Sequence, residues 1–334
     1  MSNGARGSRP DASVLIATYR RTNLLCEALR SVLGQTIGNV EVIVVDDAGE
    51  KDTAAAVENI AQERGAIRYF KRSDYTEKPG GLPSRNVATS LSRGRYLLFL
   101  DDDDLLAPEC LERRMAVLQK RPDLDFCVGQ CAKFDGAPKP GDALWCEWSD
   151  DQDDLLMFLS NKVPWQTSGP LWRREALNKV GVWDESLGSG WDYEFHIRAL
   201  AVGARGSRIP TVDYHWRLPR PDSYSGFEAF KQQHRAGYHV IAFCKGVDAV
   251  GRHGQWTPPR KRAAWREAIR LATVCRLHGG SRQTAQAALD TARKWGCASA
   301  IAYTEATACV ATWVKVSDKV LPLSYMARRG LADL

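Results

Sequence analysis

The nine cysteines of this 334-residue chain are odd in number and follow no regular framework. That excludes a disulfide-stapled scaffold and points to a reducing compartment. Cys127 and Cys131 stand four apart, yet no second Cys or His pair lies at zinc-ligand spacing, so both read as small core residues. No run of 18 apolar residues occurs. The best stretch, 297–320, is interrupted by Glu305, Lys315, Asp318 and Lys319 and is too polar to span a bilayer unaided. Residues 1–12 are polar and Gly/Arg-rich, with no apolar segment of the secretory kind, so a flexible tail and a cytoplasmic chain are expected. Internal repeats are missing as well.

What is present is globular: 44% apolar residues with 26% charged. The length suits one large domain with an appendage. The net charge of +6 is uneven, because residues 251–334 hold 14 Lys/Arg against 5 Asp/Glu, a balance of +9, and the rest carries 32 against 35, or −3. A basic tail on a mildly acidic body suits contact with something anionic, or a solubilising helical surface.

Short apolar runs at 13–17, 40–45, 67–70 and 96–100 alternate with stretches of helical spacing. Those stretches are Leu24, Leu25, Ala28, Leu29, Val32, Leu33; Ala55, Ala56, Ile60; and Val87, Ala88, Leu91. Near-continuous apolar strands joined by helices predict an α/β fold, a Rossmann-like nucleotide-binding sheet, parallel and covered on both faces. A helix around Leu111, Met115 and Leu118 and a strand over 124–131 extend it. Residues 134–149 read as loop, and 151–159, 173–180 and 192–202 as helices. A polar, Pro-bearing stretch at 217–226 sets the boundary between a domain over 13–225 and a basic helical region over 226–334. That region is broken at Pro258-Pro259 and Gly279-Gly280.

Three of the apolar runs are followed at once by polar clusters: Thr18-Tyr19-Arg20, Asp46-Asp47 and Asp101-Asp102-Asp103-Asp104. Ligands of open α/β sheets bind beyond the carboxyl ends of strands, so the three clusters should converge on one crevice. Four consecutive aspartates cannot all ionise cheaply there, and a divalent cation relieves the repulsion. Mg²⁺ or Mn²⁺ typically takes one or two carboxylates together with substrate phosphates. A solvated acidic turn is the plainer alternative. A phosphatase of the haloacid-dehalogenase type is rejected: its D-x-D continues with Gly-Thr, whereas Asp103 is followed by Asp104-Leu105-Leu106.

With these segments in order, the chain resembles the family-2 glycosyltransferases, which have the A-type glycosyltransferase fold. The likeness covers 13 to about 225. Ser13-Val-Leu-Ile-Ala-Thr-Tyr-Arg-Arg is similar to the family's opening strand and T-Y-x-R, and Val42-Ile-Val-Val-Asp-Asp to its V-V-D-D-G-S. Pro83-Ser-Arg-Asn-Val-Ala is similar to A-R-N-x-G, and Arg95-Tyr-Leu-Leu-Phe-Leu-Asp-Asp-Asp-Asp to the metal-binding D-x-D segment. Arg174-Glu-Ala-Leu-Asn-Lys-Val-Gly-Val-Trp-Asp-Glu and Trp191-Asp-Tyr-Glu-Phe-His-Ile-Arg resemble R-E-A-L-x-x-V-G-G-F-D-E and E-D-Y-D-L-W-L-R. Departures are Ala17 for the usual Pro, Arg20 for Asn, Ala48-Gly49 for Gly-Ser, and Trp191 for Glu, which leaves Asp192 in the partner position.

The resemblance implies inverting transfer from a nucleotide-sugar donor, by default a UDP-sugar, to a glycan or lipid-linked acceptor, with Mn²⁺ or Mg²⁺ as cofactor. It implies Asp103 as direct metal ligand and Asp101 towards ribose and metal. His215 lies where some relatives supply a further ligand, though a lone His beside a strand is more often simply packed. Thr18, Tyr19, Asp46, Asp47, Arg85, Asp101 and Asp102 fall to the nucleotide-sugar pocket. Asp192 is the implied base, with Glu194 as fallback. Of Trp145, Trp148, Trp165 and Trp191, in the half that binds acceptors, one or two are expected to touch substrate. The other class of reading is a catalytically idle nucleotide-sugar-binding or scaffold protein acting through its basic tail. A tail peripheral to the cytoplasmic membrane face is expected, and a nucleic-acid partner is not.

Overall fold

The computed structural model describes residues 9–64, 67–219 and 235–320. Most of the expected tail (1–8), most of the expected boundary (220–226) and residues 321–334 lie outside the described residues. The chain divides into two compact units. The first takes 1–148, 165–185 and 204–218; the second takes 149–164, 186–203 and 219–334.

The first unit is built on the apolar runs. β1 (Ala12–Thr18), α1 (Thr22–Leu33), β2 (Val40–Asp46), α2 (Lys51–Arg64), β3 (Ile67–Lys71), α3 (Gly81–Leu91) and β4 (Tyr96–Asp101) follow one another as the alternating texture requires. Val14, Leu15 and Ile16, like Val42 to Val45, are almost wholly buried, because the strands are covered on both faces. Each such side chain stabilises the fold by roughly 1.5–3 kcal/mol. On one face α1 buries Leu25, Ala28, Leu29 and Val32, a single helical stripe.

β5 (Leu105–Leu106), α4 (Cys110–Lys120) and β6 (Phe126–Phe134) come next. The chain then leaves for α5 (Asp154–Leu159) in the second unit, returns for β7 (Pro170–Arg173) and α6 (Arg174–Val180), leaves again for α7 (Trp191–Ala201), and closes the sheet with β8 (Gly206–Arg217). The strand order is β3-β2-β1-β4-β7-β6-β8-β5. The expected parallel sheet holds from β3 to β4. Beyond it the sheet is mixed, since β7 lies antiparallel to both β4 and β6. Four residues give too little periodicity to announce β7, and an antiparallel neighbour needs no crossover helix to reach its place.

A buried ion pair ties this far half together. Arg114 on α4 meets Asp213 on β8 at 2.9 and 2.5 Å, under the ring of Tyr214, and both partners are fully buried. Gly129 on β6 makes room for the pair, because a Cβ there would fall 1.9 Å from Asp213 Oδ1. Cys127 and Cys131 are buried in the same core.

The second unit is helical. α8 (Arg235–Arg252), α9 (Pro258–Leu277), α10 (Arg282–Lys294) and α11 (Ala300–Val320) join α5 and α7. The breaks fall near the expected positions: α9 starts on Pro258 behind the capping hydroxyl of Thr257, and α10 starts behind that of Ser281. Small residues set the spacing. Ala285, Ala288 and Ala292 line the buried face of α10, and Gly246 lets Ile197 of α7 approach α8. Asp153 caps α5 while pairing with Arg260 of α9. Among the described residues no helix is long and apolar enough to cross a membrane.

Candidate active site

Register puts the polar strand ends of the first unit at one level. Thr18 pairs with Asp46 across β1–β2, and Ala17 pairs with Asp101 across β1–β4. The parallel strands therefore deliver their following loops to the same edge, where such sheets bind ligands.

The loop after β2 is internally satisfied. Asp46, 1% exposed, accepts from the backbone N–H of Ala48 and Glu50 and from the hydroxyl of Tyr69 at 2.9, 3.0 and 2.8 Å. Asp47 accepts from the Arg72 guanidinium at 2.6 Å and from the backbone N–H of Gly80. Asp46 thus shapes the turn, while Asp47 and Arg72 form a polar pair beside it.

The run after β4 is crowded instead. Asp104 is fully enclosed, accepting from the Ser168 hydroxyl at 2.6 Å and from the Arg217 N–H. Asp102 is buried and accepts from Thr18 at 2.7 Å and from Arg21 at 3.3 Å. Asp103 accepts from the same Arg21 nitrogen at 2.9 Å, and Asp101 from Arg85 at 2.5 Å. The side chains of Asp101 and Asp103 stay 29% and 25% exposed, so these two face outward. Arg85 is held by α3, with its guanidinium over the Trp183 ring. Tyr19 is half exposed on the loop beyond β1.

Burial and neighbouring negative charge strain the run electrostatically. Burial, then the Asp103 charge, push the Asp102 carboxyl up to about 6, against the opposing pull of Arg21. Asp103 and Asp104 are raised for the same two reasons, burial first and the adjoining aspartates second. A hard divalent cation fits this donor set, because Asp101 and Asp103 offer partly exposed oxygens paired with Arg85 and Arg21. No group of three or more His, Cys, Asp or Glu able to hold a metal occurs among the described residues; a cation here would take the two carboxylates together with substrate phosphates.

His215 is not gathered into such a group. It lies on β8 opposite Leu105, its ring edge-on to Phe134, and burial lowers its pKa. Its Nδ1 has no hydrogen-bond partner among the described residues.

Asp192 belongs to the second unit, one residue into α7, half-buried, its carboxylate accepting from the Tyr193 N–H at 2.8 Å. Glu194 is buried, with both oxygens on Arg198 at 2.7 and 3.1 Å, which commits it to a structural pair. Trp165 is buried against Phe126. Trp145 packs edge-on to Trp216 and remains half-buried, as do Trp148 and Trp191.

Sequence reasoning passed over Arg21, Arg72, Ser168 and Arg217. Arg21 stands in the T-Y-x-R segment and could have been singled out. Ser168 and Arg217 lie 64 and 113 residues from Asp104, and no local pattern announces them.

Residues 13–180 match the family described as glycosyl transferase family 2. The GalNAc(5)-diNAcBac-PP-undecaprenol beta-1,3-glucosyltransferase of Campylobacter jejuni is 34% identical over 106 residues, 32% of this chain and about a third (34%) of that protein's length. The structure of S. aureus TarS 1–349 in complex with UDP-GlcNAc superposes with a TM-score of 0.53 at 18% identity, covering 85% of this chain and 90% of that one. The mannosyltransferase PcManGT from Pyrobaculum calidifontis, in complex with GDP-Man and Mn²⁺, superposes at 0.57 and 22%, covering 93% and 85%. At such identities the two structures establish the shared A-type glycosyltransferase fold.

Proposed function

Because the chain belongs to glycosyl transferase family 2, we propose that it transfers a sugar, with inversion, from a UDP-sugar to a glycan or lipid-linked acceptor. The observation that carries the reading is the levelled edge of β1, β2 and β4, with Asp101 and Asp103 outward and Asp47, Arg72 and Thr18 beside them. Asp47 and Arg72 offer an acceptor and a donor to the nucleotide base, and Arg85 offers charge to the diphosphate. Mn²⁺ or Mg²⁺ on Asp101 and Asp103 would offset the negative charge that grows on the leaving diphosphate.

In the displacement an acceptor oxygen forms a bond to the anomeric carbon as the bond from that carbon to the diphosphate breaks. The hydroxyl proton passes to a carboxylate, and the nucleoside diphosphate leaves. We assign the carboxylate to Asp192, on the motif likeness and on its place in the first turn of α7, where the helix dipole favours negative charge. The lipid-linked substrate in the name of the Campylobacter relative supports an acceptor of that class. The basic balance of 251–334 supports a peripheral contact with anionic lipid, on the cytoplasmic face in our reading.

The test is release of UDP from a panel of UDP-sugars, and GDP from GDP-mannose, with and without Mn²⁺. Metal-dependent release that disappears in Asp103→Asn supports the proposal. Tight donor binding without release or transfer to any acceptor supports the idle binding protein instead.

A further inference from the structure

One guanidinium nitrogen, Arg21 Nη1, lies 2.9 Å from Asp103 Oδ2 and 3.3 Å from Asp102 Oδ1. It bridges two adjacent carboxylates, the work a metal ion does at such a pair. The second arginine at the run, Arg85, is fixed: it rises from within α3, rests on Trp183, and its side chain is 11% exposed. Arg21 has no such anchorage. Its side chain is 28% exposed and it stands on the loop between β1 and α1, at a helix start without a side-chain cap. It also follows Arg20, whose φ of +55° is a left-handed conformation that a side-chain-bearing residue adopts at a cost. The loop therefore holds a partly exposed cation against the carboxylates, less enclosed than Arg85.

The geometry points to Arg21 as a resident counter-ion of Asp103, shared with Asp102, which a divalent cation on Asp101 and Asp103 would displace and which would then close on the diphosphate of the donor. This rests on the reading of the run as the donor site. A divalent cation on Asp103 would stand beside the guanidinium of Arg21 and repel it strongly in a partly buried site. The guanidinium would then leave Asp103, whose oxygens the ion of higher charge density would hold. A planar fork of N–H donors then meets phosphate oxygens bidentately, a match a displaced lysine would make less well. The exchange couples the two ligands: metal alone must work against Arg21, whereas metal arriving with a diphosphate gives Arg21 a new partner.

The experiment uses the full chain and two probes, Mn²⁺ alone followed by electron paramagnetic resonance, and UDP at saturating Mn²⁺ followed by calorimetry. Arg21→Ala should bind Mn²⁺ alone about tenfold more tightly than wild type and UDP about tenfold more weakly, with Arg21→Lys between. Opposite signs are the signature, because a merely structural arginine would weaken both. Mn²⁺ affinity unchanged or weakened in Arg21→Ala, with Asp103→Asn abolishing it, overturns the counter-ion role and leaves the donor site standing. Should Asp103→Asn bind Mn²⁺ as wild type does, or should wild type and Arg21→Ala both bind none, the donor-site reading falls with it.

Discussion

Two acidic turns stand at the same edge of one sheet, and they differ in what satisfies them. The turn after β2 is met by backbone N–H groups, a tyrosine hydroxyl and a buried arginine. The run after β4 is met by side chains from distant segments, with Asp101 and Asp103 partly open and the carboxyls of Asp102 to Asp104 raised. Carboxylates look alike in a sequence. Their partners decide which are tied into the fold and which stay partly open.

The largest expected effect lies outside both turns and sets the scale for them. Asp192→Asn should lower transfer by about 10²–10⁴-fold while leaving UDP affinity nearly intact, as the loss of a general base does. A near wild-type turnover in a single-turnover assay would remove Asp192 from the chemistry.

Asp103→Asn should cut donor hydrolysis and transfer by about 10²–10³-fold, comparable to removing one preorganised electrostatic partner. Its melting temperature should not fall, since the change relieves repulsion within the run. Asp46→Asn should do the reverse. It should leave Mn²⁺ affinity unchanged and lower stability by about 2–3 kcal/mol in urea titration, because buried donors lose a charged acceptor. If both variants behaved alike, the contrast between the turns would be void.

The smallest effect is with pH. Asp102 has its folded pKa raised to about 6, above the usual 3.9 or so of an aspartate. Between these values the folded chain binds the extra proton, so the stability it confers is present below about pH 4 and is lost as pH rises through 6. Cation binding runs the other way and should weaken several-fold from pH 7.5 to 5.5, as protons compete for the run. Asp102→Asn should flatten both trends, which melting curves and Mn²⁺ titrations across that range would report.

Much of this was legible beforehand. The runs at 13–17, 40–45, 67–70 and 96–100 became β1 to β4 within a residue or two. Alternation of apolar strand and amphipathic helix is a local signal strong enough to survive without neighbours. The Pro258 start of α9 was equally plain. β5 and β7 were not, at two and four residues, and neither was the passage of 149–164 and 186–203 into the helical unit. At the site, the placing of Thr18, Asp46, Asp47 and Asp101 at strand ends followed from the pattern alone. The commitment of Glu194 to Arg198 and the enclosure of Asp104 by Ser168 did not.

Periodicity and punctuation by themselves thus determined the first four strands, their order of appearance, and which acids would stand where a parallel sheet opens. Tertiary structure decided which donor each acid meets. The Arg21 guanidinium reaches Asp103 across 82 positions and the Arg217 backbone N–H reaches Asp104 across 113, and contacts formed through space between such distant residues leave no period along the chain to read.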